Sequence, residues 1–178
     1  KMIRDPRKMF NHVKPIIGTD IVLNLYSWGC EDVVDEYKKI FGDNLVCYGK
    51  VPYDVAHKAV AEADVLLNLS NDDEYQVPGK IMEYFSFGKA VLNFKFRDDD
   101  AGNCEYERYP LIYNVNLSDA ENNLDIVKVI RSFSGKRVSA EGLSQLYFDS
   151  TPEYVVSLLQ KTHADYRTVR VCEEENVE

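Results

Sequence analysis

Val65-Leu66-Leu67-Asn68-Leu69-Ser70, a polar stretch as far as Val77, and then Pro78-Gly79-Lys80-Ile81-Met82-Glu83-Tyr84-Phe85-Ser86-Phe87-Gly88-Lys89-Ala90-Val91-Leu92-Asn93-Phe94 together decide the fold. Residues 65–69 and 90–94 are nearly continuous apolar runs of strand length. Such runs suit strands covered on both faces, as in parallel sheets. Between them Ile81, Met82 and Phe85 fall at helical spacing, opened by Pro78 and closed near Gly88. Strand, helix and strand in this order make a right-handed βαβ unit.

The same alternation extends in both directions. Upstream, 21–26 and 45–48 read as strands, and Val33, Val34, Tyr37, Ile40 and Phe41 line one helix face that Gly42 ends. Val55, Ala59 and Val60 mark a short helix after Pro52. Downstream, a loop over 97–103 leads to a strand at 111–115. Ser118 with Glu121 reads as a capping box before the helix of Ile126, Val127, Val129, Ile130 and Phe133. Thr151 and Pro152 open a helix carrying Val155, Val156, Leu158 and Leu159. The expected fold is therefore α/β: a Rossmann-like, doubly wound parallel sheet with helices on both faces. One domain is expected over 1–168, followed by an acidic tail over 169–178.

Composition narrows the setting. The chain has 178 residues, 45% of them hydrophobic, which suffices for one domain with a core of its own. Its net charge of −9 repels phosphate backbones and argues against general nucleic-acid binding. Five basic residues against Asp5 give +4 before residue 15, so the remainder carries −13. No apolar run reaches the roughly 18 residues of a membrane span, and no leader pattern opens the chain. Cys30, Cys47, Cys104 and Cys172 show no metal-ligand spacing, so reduced thiols in a cytoplasmic setting are expected. Asn68 and Asn116 head glycosylation sequons that have meaning only in a secreted chain. The opening Lys1-Met2-Ile3-Arg4-Asp5-Pro6 does not read as a natural start, and the chain is expected to be part of a longer protein.

In open α/β sheets ligands bind at the loops that follow the strands. Three such loops stand out: Ser27-Trp28-Gly29-Cys30, Gly49-Lys50-Val51-Pro52-Tyr53, and the longest and most polar, Ser70 to Val77. Pro78-Gly79 at a helix start leaves backbone N–H groups beside a positive dipole end, which suits a phosphate. Lys80 in the first turn opposes that dipole. It serves either an anionic ligand or solubility. Glu83, one turn in, either accepts hydrogen bonds from ribose hydroxyls or complements the helix N-terminus.

These residues carry a resemblance. The "ADVLL" strand at 63–67, the Pro78-Gly79-Lys80-Ile81-Met82-Glu83-Tyr84 helix and the Gly88-Lys89-Ala90-Val91 turn resemble the carboxy-terminal, donor-binding half of group 1 glycosyltransferases of the GT-B fold, the glycogen-synthase-like retaining enzymes. Gly49-Lys50-Val51 fits the "G-x-V" loop of that family, and the similarity runs from about residue 16 to 94. The resemblance implies a domain that binds a nucleoside-diphosphate sugar. The whole enzyme would pass a hexosyl group to a saccharide-type acceptor held by an amino-terminal domain, as in polysaccharide biosynthesis. Glu83 would bind the ribose, Gly79, Lys80 and Gln76 would lie near the diphosphate and sugar, and Gly49, Lys50 and Val51 would border the base. No metal or cofactor is implied, since helix dipole and cations stabilise the leaving diphosphate. No catalytic residue is assigned, and the chain alone is expected to be inactive.

The sequence departs from the family in two places. Tyr75, with Glu74 beside it, stands where a second glutamate is frequent, eight positions before Glu83. The family's first strand, with its Arg/Lys pair, is not found. Tyr75 motivates a rival reading, a non-catalytic nucleotide-sugar-binding or regulatory module of the same fold. A phosphoacceptor receiver is disfavoured, because Asp64 precedes its strand instead of ending it. His12, His57 and His163 have no ligand partner at i+4, and Asp98-Asp99-Asp100 reads as a solvated loop. Tyr106, Tyr109 and Tyr113 read as packing around the last strand.

Overall fold

The computed structural model describes residues 5–73, 75–118 and 125–162. The chain divides into two compact units, Lys1–Val138 and Ser139–Glu178. The first holds five strands: β1 (Leu23–Leu25), β2 (Leu45–Cys47), β3 (Val65–Leu69), β4 (Ala90–Lys95) and β5 (Ile112–Asn116). Between and around them lie α1 (Arg7–Val13), α2 (Glu31–Phe41), α3 (Tyr53–Glu62), α4 (Gly79–Ser86), α5 (Asn103–Arg108) and α6 (Ile126–Phe133). The second unit contains α7 (Ala140–Leu146), capped by Ser139, and a helix over 152–162. Thr151 caps that last helix by accepting the Tyr154 N–H at 3.3 Å.

All the strand pairs are parallel, as the apolar runs imply, and the class is α/β of Rossmann-like type. The strands are divided between two sheets, β1-β2 and β3-β4-β5. Among the described residues no ladder joins β1 to β3. One apolar core nevertheless serves both, bringing Leu23 and Leu45 together with Leu92, Phe94 and Val115. The helices α1, α2 and α6 close that side with Phe10, Val33, Tyr37, Phe41 and Ile126. Phe10 stacks on Tyr37 at 4.6 Å between ring centroids. α2 forms here because Val33, Tyr37 and Phe41 share one stripe, with Glu31 and Asp32 at its positive end and Lys38 and Lys39 at its negative end.

β4 is the structural centre. Residues 90–94 are all fully buried, so both faces of the strand are covered. Leu92 and Phe94 face the shared core, and alternation along the strand sends Val91 and Asn93 to the other side. There Asn68, Asn93 and Asn114 stand in register on β3, β4 and β5. Asn68 Nδ2 donates to Asn93 Oδ1 at 2.7 Å, and Asn93 Nδ2 donates to Asn114 Oδ1 at 2.8 Å. A slip of one residue in either pairing would break this row and turn the apolar set outward. Asn68 is thereby buried and bonded, which removes it as a glycan acceptor.

Three local expectations are corrected. The helix after β5 begins at Ile126 and is capped by Asp125, which accepts the Lys128 N–H at 3.0 Å. Ser118 instead bonds Asn116, and Glu121 lies outside the described residues. The loop after β4 leads not straight to β5 but into a helix, α5, whose Tyr106 is buried; Tyr109, the residue after it, is also buried and stacks on Phe85 at 4.1 Å. The triple aspartate is not uniformly solvated. Asp100 is buried and accepts from Gly102 N–H and from the Tyr106 hydroxyl, while Asp99 is held low by the Arg97 guanidinium.

Candidate functional site

Parallel pairing puts the carboxyl ends of β1 and β2 side by side, and likewise those of β3, β4 and β5. The loops singled out in the sequence leave from these ends. They form two clusters, one after β3 and one after β1 and β2.

The first cluster runs from Ser70 into α4. The Ser70 N–H donates to Phe94 O at 2.9 Å, so the chain leaves the sheet still tied to β4. Asn71 is buried and its Nδ2 donates to Gln76 O at 3.0 Å, closing the loop across its base. Within the loop Tyr75 N–H donates to Asp73 Oδ1 at 2.7 Å, and the Tyr75 ring stands 85% exposed. α4 then opens at Gly79 behind buried Pro78, and no side chain among the described residues caps it. The Ile81 N–H donates to Pro78 O at 3.1 Å, which leaves the Gly79 and Lys80 N–H groups for solvent or a ligand. Lys80 Nζ lies 3.4 Å from Glu83 Oε2, the cation exposed and the carboxylate half-buried. Ile81 and Phe85 anchor the opposite face of the helix, which fixes the direction in which Lys80 and Glu83 point.

The second cluster holds Gly49, Lys50 and Val51 after β2. Gly49 takes φ +66, a left-handed backbone that glycine adopts without strain. Lys50 Nζ sits 5.3 Å above the ring of Trp28, which comes from the loop after β1. Tyr26 and Tyr48, the residues just after β1 and β2, stack at 4.4 Å with their rings 2° from parallel. Burial, and then the neighbouring Tyr48, pushes the Tyr26 hydroxyl pKa up. Burial likewise raises the Cys47 thiol, which argues against a reactive thiolate there. Among the described residues, no group of three or more His, Cys, Asp or Glu is placed to hold a metal ion. No helix among them is long and apolar enough to cross a membrane.

Compared with protein-family models, curated proteins and solved structures, the chain gives no match in any of the three.

Sequence reasoning missed two features. The Ser70 hydroxyl is fully buried yet has no hydrogen-bond partner among the described residues. An unmet buried donor at the head of a loop is costly and calls for an explanation. A lone Ser after an apolar run gives no such signal in the sequence. The second is Trp28, the single tryptophan, whose pairing with Lys50 joins residues 22 positions apart.

Proposed function

We propose that this chain is the donor-binding domain of a retaining glycosyltransferase, taking a nucleoside-diphosphate sugar and serving transfer of a hexosyl group to a saccharide or similar acceptor. The observation that carries the proposal is the start of α4: an uncapped helix end with Lys80 and half-buried Glu83 beside each other, behind a loop tied at its base. The free N–H groups and Lys80 suit the diphosphate, and Glu83 suits ribose hydroxyls. In the transfer, the bond from the anomeric carbon to the phosphate oxygen breaks. A bond from that carbon to the acceptor hydroxyl oxygen forms with the same anomeric configuration, and the hydroxyl proton passes to the leaving phosphate oxygen. Negative charge grows on the leaving diphosphate, where the helix end and Lys80 oppose it. Gly79, Gln76 and Tyr75 would edge the sugar, and Gly49, Lys50 and Val51 the base. The acceptor would be held by an amino-terminal domain, and the setting would be cytoplasmic.

A thermal-shift panel of UDP-, GDP- and ADP-sugars tests this reading. A donor at 100 times its Kd stabilises by about 2.7 kcal/mol. For a chain of this size that raises Tm by very roughly 5–10 °C. Glu83→Ala should lose most of the shift. A shift that Glu83→Ala leaves intact would remove the ribose contact, and a flat panel would remove the donor reading. Exposed Tyr75, standing where a second acid is frequent in the family, favours one alternative, a binding module without turnover. Donor binding without transfer in the two-domain protein would select that alternative.

A further inference from the structure

Trp28 takes no part in the donor site at the start of α4. Its ring is 69% exposed at the carboxyl edge of β1-β2, where the residue after β2 supplies Tyr48 at 48% and the start of α3 supplies Tyr53 at 72%. Single exposed rings are ordinary, but several gathered at the edge where parallel strands end are not a scatter. The loop is also held. Glu31 Oε1 accepts the Gly29 N–H at 2.8 Å, tying the residue after Trp28 to the first turn of α2. The parallel Tyr26–Tyr48 stack ties the ends of the two strands together at that edge. Lys50 makes no ion pair among the described residues, and its ammonium rests over the indole instead of a carboxylate.

An indole with a cation above it has two uses in one place. The ring offers a flat surface for a planar heterocycle, and the ammonium offers charge to an anion attached to it. A neutral sugar would use the ring alone. A long nucleic-acid strand is opposed by the chain's net charge of −9. A small ligand that is both flat and multiply charged uses both. We propose that Trp28 is the stacking platform for the base of a nucleoside diphosphate, with Lys50 at the edge of that base supplying positive charge towards the diphosphate held at the start of α4. The choice of ligand rests on the donor reading given above. The assignment of Trp28 does not come from that reading.

Because Trp28 is the only tryptophan, emission excited at about 295 nm reports this one ring. The chain is titrated with UDP, GDP and ADP, and with inorganic pyrophosphate as a charge-only control, while calorimetry gives the affinities in parallel. The expected result is quenching that saturates with the heat for at least one nucleoside diphosphate and is absent with pyrophosphate. Trp28→Leu should weaken that nucleotide about tenfold, as loss of one base stack does. Trp28→Phe should recover part of the loss, and Lys50→Gln should flatten the salt dependence. Trp28 is exposed on a loop, so these variants should fold as the parent does. Binding that persists within twofold in Trp28→Leu, with emission unmoved, overturns the platform and leaves the donor reading standing. Binding that needs Trp28 but ignores Glu83→Ala supports the platform and removes the ribose contact instead. Absence of heat and quenching with all three nucleotides overturns both.

Discussion

In β4 the mid-strand asparagine, Asn93, is fully buried and bonded to a neighbour on each side; in β1 the mid-strand asparagine, Asn24, is exposed and accepts one long bond of 3.4 Å from the Tyr48 hydroxyl. The difference follows from coverage. β4 has neighbouring strands on both edges and packed side chains on both faces, whereas β1 and β2 are three residues long and Val46 is partly exposed. The thick sheet sets a rigid frame. The thin one leaves its end loops and their aromatic rings open to solvent, which is where a ligand can reach them.

The largest test of this contrast is a matched pair. Asn93→Leu strands the buried Asn68 donor and the Asn114 acceptor, and should cost about 2–4 kcal/mol. Asn24→Leu should change stability by no more than about 0.5 kcal/mol. Urea unfolding of the two variants compares them directly, and equal losses would refute the idea that the two sheets are held differently.

A second pair concerns glycines. Gly88 takes φ +64, and a Cβ there would come within 2.2 Å of the Val138 carbonyl oxygen. Gly49 also has positive φ, but a Cβ would meet nothing within 4 Å. Gly49→Ala should therefore cost only the left-handed backbone, about 1 kcal/mol, and Gly88→Ala about 2 kcal/mol or more. Thermal melts that rank them in the opposite order would show that the turn beneath β4 can give way.

The smallest effect is one of pH. Lys89 is buried just before β4, and burial, followed by the nearby Arg137, lowers its pKa below the ordinary 10.5. The folded chain then binds fewer protons at this site than the unfolded one. Its contribution to stability is most favourable above pH 10.5 and is lost as pH falls through the lowered value. Relative to Lys89→Met, the parent should gain stability as pH rises from 7 towards 10. The upward-shifted Tyr26 and Tyr37 are common to both and cancel in the difference. Parallel pH curves for the two proteins would rule out this linkage.

All five strands, and α2, α3 and α4, were legible because each is a continuous apolar run or a helical stripe long enough to show a period. α5 was not: it has six residues, and Tyr106, its buried side chain, cannot set a period alone. The division into two sheets was also hidden, because runs such as 21–26 and 65–69 announce burial without naming their neighbours. At the site, Lys80 and Glu83 could be paired from a spacing of three on one helix. Ser70 and Trp28 could not. What distinguishes them is a missing partner in one case and a distant one in the other, and neither is written in the local sequence.

The asparagine row has a property that individual hydrogen bonds lack. Each bond in it runs from Nδ2 to Oδ1 in the same sense, from β3 towards β5. If Asn93 turned over alone it would lose both bonds. If either neighbour did so, two like groups would face each other. The three carboxamides thus share two settings and change only together.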